Sequence, residues 1–110
     1  MNHEVNEQQG RRVVSFEGDV DLESSPSARG VLLEEVSGGN DVLVDLSRVT
    51  YIDSSGVASL VEAFQKARSQ KTGFALASVS QPVHRVLQLA RLDKVFTIHE
   101  SIEDALAHDA

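Results

Sequence analysis

The chain has 110 residues, 41% of them hydrophobic and 25% charged, which is the size of one globular domain able to remove roughly 65% of its unfolded surface from water. It contains no cysteine, so disulfide scaffolds, thiolate metal sites and cysteine nucleophiles are excluded, and a reducing, cytoplasmic home is expected. A formal charge of −7 sets up a field that repels phosphate backbones and anionic lipid, which argues against nucleic acid as a partner.

The opening MNHEVNEQQG is polar, lacks the apolar centre of a signal peptide, and ends on Gly10; residues 1–10 are expected to be a flexible N-terminus, with the domain occupying 11–110. No later run approaches the ~18 apolar residues of a membrane span, so direct membrane insertion is not expected. Val13, Val14 and Phe16 make a short apolar stretch. Val20 and Leu22 then alternate with Asp19, Asp21 and Glu23, so that two short strands are expected. Ser24 and Ser25 before Pro26 are cap chemistry, opening a helix to about Val36 whose apolar positions include Ala28, Val31, Leu32 and Val36. Asp41–Leu46 (DVLVDL) is short and β-branched enough for a central strand buried on both faces. A turn at Ser47-Arg48 and the segment Val49–Ile52 lead into Asp53-Ser54-Ser55-Gly56.

Beyond that box lies the clearest amphipathic segment. Val57, Leu60, Val61, Phe64 and Ala67 recur at helical spacing, and Ser59, Glu62, Gln65, Lys66 and Ser69 take the outer side. Lys71-Thr72-Gly73 is expected to stop that helix, and Phe74–Val79 to form another inner strand. Ser80 is placed to cap a helix with Pro82 in its first turn, Phe96–Ile98 reads as a last strand, and Ser101 with Asp104 resembles a capping box for a final helix. The order β-β-α-β-α-β-α-β-α predicts an α/β domain with a mixed, mostly parallel sheet of four to five strands, about four helices and right-handed crossovers.

Functional loops in such folds lie beyond the carboxyl ends of the strands. Three fall there: Gly18-Asp19-Val20-Asp21, Asp53-Ser54-Ser55-Gly56 and Ser78-Val79-Ser80-Gln81. In the middle one, Asp53 or Ser54 can accept hydrogen bonds from the first free amides of the helix, with a carboxylate complementing the positive end of its dipole. The same place tolerates a phosphate, which makes an exposed serine there a candidate switch.

The run VLVDLSRVTYIDSSGVASLVEAFQKAR, with FEGDVDLESSPSA before it and HRVLQLARLDKVFTIHESIEDAL after it, resembles a STAS domain of the anti-sigma factor antagonist type over about Arg11 to Leu106. The resemblance implies that Ser54, the first serine after the aspartate, is a phosphate acceptor flanked by Asp53, and that Asp21 lies near the same surface. It implies a cytoplasmic bacterial partner switch. The unmodified domain would bind an anti-sigma factor that is also a serine kinase, phosphorylation of Ser54 would release it, and a metal-dependent serine phosphatase would reset it. The kinase and its ATP belong to the partner, so the chain needs no catalytic residue, cofactor or metal of its own. Asp21, Asp53, Ser54, Ser55, Gly56 and the outer helix positions Ser59, Glu62, Ala63 and Lys66 are the expected partner surface. Antagonists often read S-G-L-G where this chain has Ser55-Gly56-Val57-Ala58. That departure resembles STAS subunits of bacterial lipid-transport ABC systems, so bracing a transporter ATPase from the cytosol is the alternative.

Other chemistries fit poorly. Ser54, Asp93 and His99 follow a hydrolase order, but the serine stands in no G-x-S-x-G elbow and the chain is too short. A phosphoacceptor receiver needs a lysine at a strand end, whereas Lys94 precedes its strand. His3, His84, His99 and His108 show no i, i+4 pairing, so no metal site is expected. Glu100, Glu103 and Asp104 complement a helix start, and no glycine run fits a phosphate-binding loop.

Overall fold

The computed structural model describes residues 1–107; His108 lies outside the described residues. The elements are β1 (Asn2–Gln8), β2 (Arg11–Val20), α1 (Ser25–Ser37), β3 (Asp41–Ile52), α2 (Ser54–Gln70), β4 (Phe74–Ala77), α3 (Gln81–Leu89), β5 (Thr97–His99) and α4 (Ile102–Ala107). They form one five-stranded sheet in the order β1-β2-β3-β4-β5, antiparallel between β1 and β2 and parallel elsewhere. The chain is a single α/β domain with a mixed sheet and four helices, as its alternating pattern predicts.

Two expectations at the N-terminal end are corrected. Residues 1–10, read as loosely held, supply β1, which pairs along its length with β2, Asn2 against Glu17 and Gln8 against Arg11. A mostly polar strand suffices there because β1 is an edge with only Val5 packed toward the core. The two short strands expected between Val13 and Leu22 are one strand, β2, and Leu22 lies beyond its end with 76% of its surface exposed. The expected turn at Ser47-Arg48 is likewise absent, since β3 runs on to Ile52. Its parallel register with β2 shifts between Ser15 and Glu17 and again between Gly18 and Asp19. Such bulges absorb residues that break strict alternation and let the strand run on to the site.

The sheet's faces are unequal. Val14, Val42, Val44, Leu46 and Leu76 point into the larger core beneath α1, α2 and α3, with Leu32, Leu60 and Leu87 from those helices. A smaller cluster of Val13, Leu43, Ala77 and Ala105 lies under α4. Within Asp41–Leu46, Val42, Val44 and Leu46 are buried on one face and Leu43 on the other, as the composition predicts, while Asp41 at its start is exposed. The left-handed turn that ends α2 falls two positions before Gly73, the glycine expected to stop it, with Lys71 in the left-handed region at φ 62° and the Thr72 amide donating to the Ala67 carbonyl at 2.9 Å. Ser101 caps α4 through the Asp104 amide at 2.9 Å, as expected.

Candidate functional site

The site forms where β2 and β3 end and α1 and α2 begin. Asp53 is the N-cap of α2, with extended backbone at φ −112° and ψ −172°. Its Oδ1 accepts the Ser55 amide at 3.0 Å, the Gly56 amide at 3.2 Å and the Ser55 hydroxyl at 2.5 Å. Its Oδ2 accepts the Leu22 amide at 3.0 Å, so one carboxylate both caps α2 and holds the loop between β2 and α1. These bonds favour the ionised form and hold the Asp53 carboxyl below its ordinary value, the Ser55 hydroxyl being the largest cause and partial desolvation opposing it.

Asp21 is built in the same manner. Its Oδ1 accepts the Ser24 amide at 3.0 Å, the Ser24 hydroxyl at 3.1 Å and the Glu23 amide at 3.1 Å. The Ser24 amide leads in lowering the Asp21 carboxyl, while the charge of Asp53 pushes it back up, so the two carboxylates feel one another. Ser24 occupies the N-cap of α1 without capping it. Its hydroxyl turns back to the Asp19 carbonyl at 2.9 Å, and Asp19 in turn accepts the Thr50 hydroxyl at 2.9 Å. Met1, Asp19, Asp21, Glu23 and Ser24 line a cavity of about 390 Å³ beside this loop. A larger one of about 600 Å³, lined in part by Arg11, Lys71 and His99, lies away from these loops, where β2 and β3 begin.

Ser54 and Ser55 have different surroundings. Ser55 is half-buried and tied to Asp53. Ser54, the first residue of α2, is exposed, and its hydroxyl makes no hydrogen bond to any described residue. Gly56 makes this arrangement fit. A Cβ built there would stand 2.6 Å from Ile52 Cγ1 and 2.6 Å from the Val20 carbonyl oxygen, so only glycine lets α2 start this close to the ends of β2 and β3.

The expected outer face of α2 is only partly outward. Ser59 and Ala63 are buried, because α1 packs across that side of the helix and its Ser25, Ala28 and Leu32 are buried with them. The Ser59 hydroxyl bonds to the Ser55 carbonyl at 3.1 Å, with the Ser25 carbonyl at 3.4 Å. Glu62 is half-exposed and receives a two-pronged contact from Arg29 at 2.8 and 2.6 Å, which holds its carboxyl low. Lys66 is exposed. The periodicity of α2 marked an inner stripe correctly but could not reveal a second helix on its flank. Leu22 and Tyr51, exposed at 76% and 51%, are apolar surface at the ends of these loops that sequence alternation misassigned or passed over. Their signal was their place beside Asp21 and Ile52, at the carboxyl ends of strands.

An N-terminal antiparallel strand, three parallel crossovers and a D-S-S-G helix start define the class: the STAS family profile matches residues 2–105, and the chain belongs to the STAS domain family. The chain is 25% identical over 103 residues to the anti-sigma-B factor antagonist of Bacillus subtilis, covering 94% of each. It is 29% identical over 103 residues to the anti-sigma-F factor antagonist RsfB of Mycobacterium tuberculosis, covering 93% of this chain and 84% of that one. Among solved structures it superposes on an anti-sigma factor antagonist from Mycobacterium paratuberculosis with a TM-score of 0.88 and 28% identity, over 96% of this chain and 91% of the other.

Proposed function

We propose that this protein is an anti-sigma factor antagonist that binds an anti-sigma factor with serine kinase activity when unmodified and is released when Ser54 is phosphorylated. The observation that carries this reading is the contrast at the start of α2: the Ser54 hydroxyl is exposed and unbonded while its neighbours are tied into the fold. The names borne by the relatives support the same reading. A phosphate on Ser54 would sit at the positive end of α2, so the fold itself can carry it. An interface cannot. The phosphate adds roughly −1.5 to −2 charges beside Asp53 and Asp21, in a contact shaped around a neutral hydroxyl. A loss of ~3 kcal/mol weakens binding more than 100-fold. A metal-dependent serine phosphatase resets the switch, and the kinase chemistry stays with the partner.

The docking surface comprises Asp21, Asp53, Ser54, Ser55, Glu62 and Lys66, joined by Leu22. Gly56 serves it through its backbone, and the buried Ser59 and Ala63 only from beneath. Incubation with ATP and the cognate anti-sigma kinase tests the reading: wild type and Ser55→Ala should be labelled and Ser54→Ala should not. Labelling of Ser54→Ala to the wild-type level would move the acceptor elsewhere. Co-purification of a permease with its ATPase, in place of an anti-sigma factor, would favour the transporter role.

A further inference from the structure

The net charge of −7 conceals an uneven distribution of charge along the chain, although Asp41 at the start of β3 shares an edge with Lys71. Residues 66–94 carry Lys66, Arg68, Lys71, Arg85, Arg91 and Lys94 against a lone acid, Asp93. None of these cations forms an ion pair with a described residue; the ion pairs belong to Arg12 and Arg29. In a parallel sheet each crossover helix runs against the strands, so the C-terminal ends of α2 and α3 both lie at the edge where β4 and β5 begin. Phe64 of α2 meets Phe96 with ring centroids 5.4 Å apart, which brings α2 against the turn that follows α3. Arg68 is one helical turn beyond Phe64, Lys71 closes α2, and Lys94 and Val95 adjoin Phe96. Leu89 ends α3, and Arg91 follows it in the left-handed region at φ 61°.

Cations at helix C-termini complement the macrodipole. That accounts for the charges and leaves unexplained two apolar side chains standing among them, Leu89 with 80% and Val95 with 48% of its surface exposed. Neither lines either of the two cavities described above; Lys71 borders the larger one, but the two apolar side chains stand outside it and offer no groove of their own for a peptide. A nucleic-acid backbone would meet the charges and have no use for the leucine and valine. A bilayer interface accommodates both, because protruding apolar groups enter it while surrounding cations meet anionic headgroups. We infer that the pole formed by Arg68, Lys71, Leu89, Arg91, Lys94 and Val95 is a peripheral docking surface for an anionic membrane.

The acidic site does not prevent this. The domain measures 30 × 25 × 24 Å, and the Asp21–Asp53 loops lie at the opposite edge of the sheet. With a Debye length of about 8 Å at physiological ionic strength, a membrane at the basic pole senses that pole far more than the net charge. Binding there also leaves the Ser54 loop facing away from the lipid.

Co-sedimentation of the full chain with phosphatidylglycerol–phosphatidylcholine vesicles, beside vesicles of phosphatidylcholine alone, tests the inference. Binding should require the anionic lipid and weaken with added salt. Arg91→Glu combined with Lys94→Glu should reduce partitioning by about tenfold or more, Leu89→Ser should reduce it at constant charge, and Leu22→Ser at the opposite edge should not. Circular dichroism of each variant distinguishes lost binding from lost folding, and these side chains are exposed enough for folding to persist. Failure to bind anionic vesicles, equal binding to neutral ones, or unchanged binding by both the charge-reversed and Leu89→Ser variants would each overturn the proposal. So would binding to polyglutamate in place of vesicles, which would make the occupant an acidic protein.

Discussion

Both α2 and α3 begin just past a strand with a serine at the turn, yet the two hydroxyls have opposite fates. At α3 the N-cap residue Ser80 holds extended backbone at φ −64° and ψ 155°, but it caps nothing: its hydroxyl donates to the Val49 carbonyl at 2.6 Å and ties the loop to β3. At α2 the cap is the carboxylate of Asp53, which accepts the amides and leaves the hydroxyl of Ser54 unbonded in solvent. A serine that opens a helix becomes available for modification when a neighbouring acid takes over the capping. It becomes structural when a carbonyl lies within reach. The difference can be broken or sharpened from either side.

The largest expected effect is at Gly56, the residue that seats α2 against the strand ends. Gly56→Ala places a methyl 2.6 Å from both Ile52 Cγ1 and the Val20 carbonyl oxygen, and backbone cannot yield as a flexible side chain can. A loss of about 1–3 kcal/mol is expected, which in a domain of this size lowers the melting temperature by roughly 4–8 °C per kcal/mol. A thermal melt within a degree of wild type would show that α2 can shift its start without loss.

Ser80→Ala comes next. It leaves the Val49 carbonyl without the Ser80 hydroxyl in a half-buried loop and should destabilise by about 1 kcal/mol, measured by urea unfolding. A midpoint equal to that of wild type would place Ser80 in the same class as Ser54.

The contrast between these serines shows where sequence reading stops. Alternating strand and helix patterns, the doubly buried DVLVDL strand and the acid-capped start of α2 were legible, because hydrophobic period and cap chemistry are local. β1 was not, since a polar edge strand becomes a strand only through pairing with β2 and carries no apolar signature. Nor were the burial of Ser59 and Ala63 or the diversion of Ser24 and Ser80 from their caps. Each depends on how the folded chain places a partner: α1 across α2, the Asp19 carbonyl behind Ser24 in a tight loop, and Val49 beneath Ser80. In the candidate site, the sequence revealed which groups could bond, and tertiary packing decided which did.

Acid titration sharpens the α2 side. The Asp53 and Asp21 carboxyls are held below their ordinary values, so the folded state favours their ionised forms. Stability from these groups is fully present above about pH 4, the ordinary carboxylate value, and disappears as pH falls through the lowered folded values. Asp53→Asn should therefore melt below wild type at neutral pH, and the gap should narrow as the pH is lowered toward about 2. A gap that stays constant over that range would mean that the charge on Asp53 contributes nothing to holding α2 and the Leu22 loop.

The smallest expected effect is the one on which the function depends. Ser54→Ala removes a hydroxyl that no described residue bonds, from an exposed first helical position, and should change stability by less than about 0.5 kcal/mol. Measured beside Ser80→Ala in the same urea series, a near-silent Ser54→Ala would fit a hydroxyl free for a partner. A loss as large as that of Ser80→Ala would show that the Ser54 hydroxyl is a structural group. The first outcome also makes Ser54→Ala a clean reagent, since any change in partner binding or labelling then comes from the missing hydroxyl and not from a loosened fold.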